Sequence, residues 1–335
     1  MNIDHPTELS DYLKRQGLVS NGEVLQISKL EGGVSNRTIL VELSSGRSLV
    51  AKQALRKLRV KSDWYSSPER IHREACALRW LMKIIPGNVP EFLHESLEHH
   101  IFIMTAVETP HTNWKSDLMN GQVVSGHAME FARLLAKIHN SVTLYPELKD
   151  EFIDVSFFES LRLEPYYRFT IENVPKAKKM LELLILETRN RKQALVHGDY
   201  SPKNVLIVNG RLYILDYEVM HDGDPAFDVG FALTHFISKA NHLPGFRDAF
   251  LDQAMLFWEK YHGYIHQNFI TKGLEEFSIL HTLGCLLARV SGRSPLEYLN
   301  ISQREKQKRI ALELMGQPPK NISELITIIK SKLYE

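Results

Sequence analysis

Cysteine is nearly absent from this chain: its 335 residues include only Cys76 and Cys285. Two thiols cannot build a disulfide framework or a structural zinc site, which fits a reducing, cytosolic setting. An excess of one charge is also missing. Lys plus Arg is 41 and Asp plus Glu is 40, a formal net charge of +1. That balance excludes a chain that lives by wrapping nucleic acid or coating an anionic membrane. No apolar run approaches the roughly 18–20 residues of a membrane helix. The polar first residues lack the apolar core of a signal peptide. No internal repeat and no low-complexity tract stands out. What is present is 44% hydrophobic and 24% charged residues, a globular composition that excludes whole-chain disorder. The expectation is a soluble cytoplasmic protein of two ordinary domains or one two-lobed unit.

The front of the chain carries strand signals. Val24–Lys29 and Thr38–Leu43 flank a glycine-containing turn, and Ser48–Lys52 follows a second turn at Ser44, Ser45 and Gly46. A helix capped by Ser67, with Pro68 in its first turn, is expected next. Ile71, Ala75, Leu78, Met82 and Ile85 recur along it at helical spacing, and Pro86-Gly87 ends it. Two more strands are expected near Glu91–Glu95 and Ile101–Val107. From about residue 110 the pattern is helical. Ala128, Phe131, Leu135 and Ile138 form a stripe behind a Ser125 cap, and 176–192, 247–262, 274–290 and 302–315 are further helical segments. The chain therefore divides into a strand-rich lobe at 1–107 and a helix-rich lobe at 108–335.

One stretch interrupts the helices. Val205–Val208 and Leu212–Leu215 flank Asn209-Gly210, the strongest short-range hairpin signal. With that turn Val208 pairs with Arg211, and counting outward sets Asn204 opposite Leu215 and Lys203 opposite Asp216. Asn204 and Asp216 then meet at the open end of the hairpin. Asp199 lies on the loop feeding it, five residues before Asn204. An amide among carboxylates suits Mg²⁺, which keeps several waters and leans on one or two carboxylates plus substrate phosphates. A lone Asp is most often a turn former. His197-Gly198-Asp199, then Pro202, then Asn204, then a hairpin ending in Asp216 is a joint pattern that chance does not readily produce.

That stretch resembles the catalytic and metal-binding loops of the protein-kinase-like fold, in the version used by the aminoglycoside phosphotransferase and choline kinase superfamily. Protein kinases carry His-Arg-Asp, Asn five residues later, and Asp-Phe-Gly. Here His-Gly-Asp and Asp216-Tyr217-Glu218 stand in their places, and Ser201 occupies a position where Ser/Thr protein kinases usually have Lys. These departures point away from a protein substrate. The run Gly223-Asp224-Pro225-Ala226-Phe227-Asp228-Val229-Gly230 also resembles the superfamily, with Asp228 as the residue that holds the catalytic loop. The resemblance implies an α+β, two-lobed fold with a nucleotide site in the strand-rich lobe. Gly32, Gly33, Ser35 and Asn36 would cover the phosphates. Lys52, fixed by Glu74 on the following helix, would position them, and backbone groups of Thr105 and Val107 would take the adenine.

The reaction implied is transfer of the ATP γ-phosphoryl group to a hydroxyl of a small molecule. Asp199 would orient that hydroxyl and accept its proton, and Asn204 and Asp216 would hold Mg²⁺. Asp-x-Glu at 216–218 resembles choline and methylthioribose kinases and implies a metal role for Glu218; an ion pair with a nearby Lys or Arg is the other reading. The acceptor stays open among aminoglycoside, choline-like amine, methylthioribose-like sugar and amino alcohol. ATP versus GTP and the oligomeric state stay open too, and no nucleic-acid or membrane partner is expected. The acidic and aromatic segment 145–169 would either bind a cationic acceptor or form an amphipathic surface helix pair. A catalytically silent kinase-like binding protein is the alternative. Its usual sign is loss of the Lys, the catalytic Asp or the metal Asp, and Lys52, Asp199 and Asp216 are all present.

Overall fold

A computed structural model of the chain describes residues 1–30, 35–59, 64–270 and 273–335. Packing groups them into two units, Met1–Pro110 with Leu215–Val219, and His111–Ile214 with Met220–Glu335. The first division falls at Pro110, and a five-residue piece from the middle of the chain packs with the amino-terminal unit.

The first unit is built on an antiparallel sheet of β1 (Leu25–Lys29), β2 (Asn36–Leu43), β3 (Ser48–Ala54), β4 (Phe92–Ser96) and β5 (Ile101–Thr105), in the order β1-β2-β3-β5-β4. Side chains alternate across a strand, so a central strand covered on both faces is apolar at successive positions. β3 is buried from Leu49 to Ala54. Leu49 and Ala51, with Ile101 and Ile103, pack in one cluster with Leu9, Tyr12 and Leu13. Those three come from α1 (Pro6–Arg15), a helix inside a segment whose polar composition gave no sign of it. Lys52, on the opposite parity, turns toward α2 (Arg70–Ile84). Ser67 is not the cap of that helix: Glu69 holds that place without a side-chain cap bond, and the Ser67 Oγ accepts the Glu69 N–H at 3.3 Å just before the helix.

The second unit opens with β6 (Thr112–Asn113), α3 (Trp114–Met119) and α4 (Ser125–Leu144), followed by α5 (Lys178–Asn190). Ser125 is the first residue of α4, not its cap; Val124 holds that place, and the Ser125 hydroxyl accepts from Gln253 Nε2 at 3.2 Å. Next come β7 (Ala194–Val196), β8 (Val205–Val208), β9 (Arg211–Ile214) and β10 (His221–Gly223), which form two small sheets, β10-β7 and β6-β8-β9. The long helices α6 (Pro225–His242), α7 (Arg247–Tyr264), α8 (Leu274–Ser291), α9 (Ile301–Gly316) and α10 (Ile322–Tyr334) follow. α6 is buried almost all round, the pattern of a helix at the centre of a core. It crosses α8 so closely at Gly230 that a Cβ there would sit 2.6 Å from His281 Cβ and 2.7 Å from the Thr282 nitrogen. Only glycine fits. No helix among the described residues is long and apolar enough to cross a membrane.

Candidate active site

In the first unit, β3 and α2 place Lys52 Nζ 2.5 Å from Glu74 Oε1, and Lys52 also reaches Asp216 Oδ1 at 3.4 Å. Glu74 is fully buried on the inner face of α2. Burial works against the Lys52 charge, but Glu74, Asp216 and Glu218 outweigh it and raise the ammonium above its ordinary value. Burial pushes the Glu74 carboxyl up to about 7 in spite of Lys52, with Asp216 and Glu218 adding to the rise. One oxygen from each of Glu74, Asp216 and Glu218 lies within 4.8 Å of the others. Three carboxylates face two cations here, because Arg70 Nε donates to Glu218 Oε2 at 3.0 Å. The balance favours a further positive charge. Glu74 Oε2 and Asn36 Oδ1 are buried with no hydrogen-bond partner among the described residues. An all-oxygen set with orphaned acceptors and surplus negative charge fits Mg²⁺.

Arg70 is the residue of this unit that sequence reasoning missed. It is fully buried and donates to the carbonyls of Ser35, Leu55 at 2.8 Å, Ser66 at 3.2 Å and Ser67 at 2.9 Å, besides Glu218. Asn36 Nδ2 adds a bond to Glu218 Oε2 at 3.2 Å. The ion-pair reading of Glu218 therefore has a partner, Arg70, and the same carboxylate belongs to the metal-capable trio. Gly32 and Gly33 lie outside the described residues. Ser35 and Asn36 lead into β2, and Thr105 ends β5. The Thr105 N–H is committed to the Glu91 carbonyl at 2.9 Å, so an adenine could use only the Thr105 carbonyl, together with Val107 two residues on.

The second unit holds Asp199, 2% exposed. Its Oδ2 takes three donors: Arg162 Nη2 at 2.9 Å, Lys203 Nζ at 2.8 Å and Asn204 Nδ2 at 2.8 Å. Its Oδ1 is buried and has no hydrogen-bond partner among the described residues. Burial alone would raise the carboxyl; Arg162 and Lys203 outweigh it and hold Asp199 well below the usual carboxylate range. The loop itself hangs from Asp228, which accepts the His197 N–H at 2.6 Å and the Gly198 N–H at 2.8 Å. His139 Nε2 meets the same carboxylate at 3.1 Å, and its Nδ1 meets the Tyr261 hydroxyl at 2.7 Å. Tyr200 anchors the far side, stacked on Phe131 at 4.0 Å with its hydroxyl donating to the Phe131 carbonyl.

The hairpin is present, with Asn209 and Gly210 at φ 49° and 80° and Val208 opposite Arg211. Its ladder stops at Val205↔Ile214. Pro202–Asn204 is a 3₁₀ turn, and Asp216 leaves strand geometry with φ 70°. Strand counting beyond Ile214 therefore fails, both for setting Asn204 opposite Leu215 and for setting Lys203 opposite Asp216. A turn, not a strand, brings Asp216 and Glu218 to Glu74, while Tyr217 is fully buried.

Segment 145–169 also differs from expectation. Glu159 is tied to Arg189 and Arg168, and Glu164 to Arg293. Phe152, Phe158, Tyr166 and Tyr167 are core residues. The part that reaches Asp199 is cationic: Arg162, carried on a π-helical turn at Glu159–Arg168. Farther along, burial, with Lys239 and Arg289 adding, holds the His235 imidazole well below its ordinary value.

Lys239, 1% exposed, has no carboxylate partner among the described residues and donates to the His235 carbonyl at 3.3 Å. Burial, with Lys115 and Arg289 adding, brings its amine down from 10.5 to about 7. Between those values the unfolded chain holds a proton that the folded chain lacks. Stability from this group therefore rises with pH across that window and is lost as pH falls through it. Lys239→Met should be more stable than the parent by on the order of a few kcal/mol near pH 6, with the advantage shrinking toward pH 10. Urea unfolding at a series of pH values measures this; an advantage that does not change with pH would contradict it.

The family model for the phosphotransferase enzyme family matches residues 26–264. The chain belongs to that family. Methylthioribose kinase 2 of Oryza sativa subsp. japonica is 28% identical over 243 residues, 64% of this chain and 57% of that protein. Methylthioribose kinase of Yersinia pseudotuberculosis serotype O:3 is 23% identical over 263 residues, 70% and 64% of the two chains. The chain thus spans less than two thirds of the length of these relatives. Among solved structures, choline kinase from Cryptosporidium parvum Iowa II matches with TM-score 0.58 at 12% identity, covering 98% of this chain and 100% of that one. At that identity the likeness shows the fold, the kinase-like α+β architecture that the loop motifs imply.

Proposed function

We propose that this family member is a small-molecule kinase that transfers the γ-phosphoryl group of ATP to a hydroxyl of a sugar-like acceptor. The observation that carries the reading is the asymmetry of Asp199. Three donors saturate Oδ2, which fixes the carboxylate, while Oδ1 stays buried without a partner among the described residues. An acceptor hydroxyl donating to Oδ1 would have its lone pair oriented for attack. In the reaction a bond forms between that hydroxyl oxygen and the γ-phosphorus, the bond to the β-bridging oxygen breaks, and the hydroxyl proton passes to Asp199. A carboxylate held this far down is a weak base. It suffices because the transition state is loose and catalysis is mostly positioning and charge neutralisation. Lys52, fixed by Glu74, would hold the α- and β-phosphates. Asp216 and Glu218 would hold Mg²⁺, with Glu74 beside them. When bound, Mg²⁺ neutralises phosphate charge.

The neighbours of Asp199 favour a neutral or anionic acceptor over a choline-like or aminoglycoside cation. Arg162 and Lys203 touch it, and the acids of 145–169 at Glu159 and Glu164 are already paired. A methylthioribose-like sugar meets that requirement, in line with the names of the sequence relatives. Two measurements test the proposal. Mg-ATP at 100 times its Kd should stabilise the fold by about 2.7 kcal/mol, seen as a rise in Tm. Nucleoside diphosphate release should then respond to methylthioribose or a related pentose and not to choline. Nucleotide binding without turnover on any hydroxyl acceptor would favour a silent, regulatory protein instead.

A further inference from the structure

Away from the nucleotide residues, the first unit holds a second cluster of metal-ligating side chains. Glu69 and His72 lie at the start of α2, and His100 sits in the turn between β4 and β5 with φ 48°. His72 Nε2 and His100 Nδ1 face each other at 3.0 Å. Glu69 Oε2 is 3.8 Å from His72 Nε2, and Glu69 Oε1 is 3.8 Å from His100 Nδ1. Two ligands of one zinc ion, each bound at about 2.0–2.2 Å, can be no more than about 4.4 Å apart. All three separations fall inside that limit.

The outer partner is in place as well. His72 Nδ1 faces Glu95 Oε1 at 2.7 Å, and Arg79 holds the other Glu95 oxygen at 2.8 Å. A carboxylate accepting from Nδ1 fixes the tautomer whose Nε2 carries a lone pair, the arrangement of most metal-ligating histidines. The facing nitrogens cannot both be N–H, so at least one lone pair already points into the gap. Glu69 is the exposed ligand, its side chain 63% exposed, while His72 is 14% exposed and held by Glu95. Two imidazoles and a carboxylate are a zinc-type donor set, and imidazole selects first-row transition ions over Mg²⁺.

We infer that Glu69, His72 and His100, backed by Glu95, form a binding site for a divalent transition-metal ion, Zn²⁺ by chemistry, that ties the first turn of α2 to the β4–β5 turn. The site is separate from the Mg²⁺ oxygens and does not depend on the kinase reading. Its position has a consequence for that reading, because the same helix carries Arg70 and Glu74.

Zn²⁺ titration of the full chain by calorimetry, with excess Mg²⁺ present to occupy the all-oxygen site, tests this. One equivalent should bind saturably and raise Tm. His100→Gln and His72→Ala should each abolish that binding. Glu95→Gln, which removes no ligand, should weaken it by roughly 10–100-fold, the usual effect of losing an outer carboxylate. His100 sits in a half-exposed turn, so its variant should fold even where His72→Ala does not. Absence of saturable binding, or binding that His100→Gln leaves unchanged, would overturn the assignment. Binding lost in His100→Gln but indifferent to Glu95→Gln would overturn the outer-carboxylate part.

Discussion

Asp199→Asn should lower turnover by roughly 10²–10⁴-fold, the range of general-base contributions, and leave Mg-ATP binding in place. The size of the effect follows from what surrounds the carboxylate. Arg162, Lys203 and Asn204 all donate to Oδ2. An amide at 199 must therefore turn its oxygen toward those donors and its NH₂ toward the Oδ1 position. A hydroxyl that needs an acceptor there meets a donor instead. Three changes coincide: the proton loses its destination, the nucleophile loses its orientation, and two cations lose their counter-charge. Steady-state nucleoside diphosphate release measures the first two. Calorimetry with Mg-ATP checks that the residues proposed to bind the nucleotide are untouched. Near-native turnover in the variant would remove Asp199 from the reaction.

Arg70→Met should cost roughly 3–5 kcal/mol of stability, the penalty of removing one partner from a buried ion pair. Glu218 would keep Asn36 as a donor but lose its ion pair with Arg70, at a site where Glu74 and Asp216 already repel it. The carbonyls of Ser35, Leu55, Ser66 and Ser67 would lose a donor too. Adding Glu218→Gln should recover part of the loss, because the uncompensated charge is gone while Asn36 can still donate to the amide oxygen. Denaturant midpoints of the single and double variants give the coupling directly. A loss below about 1 kcal/mol in Arg70→Met would mean that the pair behaves like an exposed one.

The parts of this molecule that were legible in its sequence are those with local rules. An Asn-Gly turn sets its own register, and the structure keeps Val208 opposite Arg211. The resemblance pairs Lys52 with Glu74, helical spacing sets Glu74 on the apolar face of α2, and the structure joins the two. The pattern His-Gly-Asp with Asn five residues on, followed by Asp-x-Glu, identified the family, and Asp228 holds the His197 and Gly198 N–H groups as read. What escaped has no local rule. Arg70 and Arg162 look like surface residues of helical segments until the fold supplies Glu218 and Asp199, 148 positions and 37 positions away along the chain. α6 is too uniformly buried to show an amphipathic face, so only its first residues were read, as a motif. Asp216 defeated strand counting because its backbone turns into the left-handed region, where non-glycine residues are uncommon.

The packing of Leu215–Val219 with the amino-terminal unit bears on how this chain is made. Arg70 and Glu218 are separated by 148 residues. A ribosome adding about 5–20 residues per second needs roughly 7–30 s to travel between them. For all of that interval the sheet and α2 are available, but the buried guanidinium has no carboxylate to meet and the trio around Lys52 is short of two members. The first unit therefore cannot reach its final packing in the order in which it is synthesised; it waits for a segment that follows the first 104 residues of the second unit. A fragment ending at Pro110 would carry the same deficit permanently, whereas supplying residues 215–219 as a separate peptide would offer it the missing charge in trans.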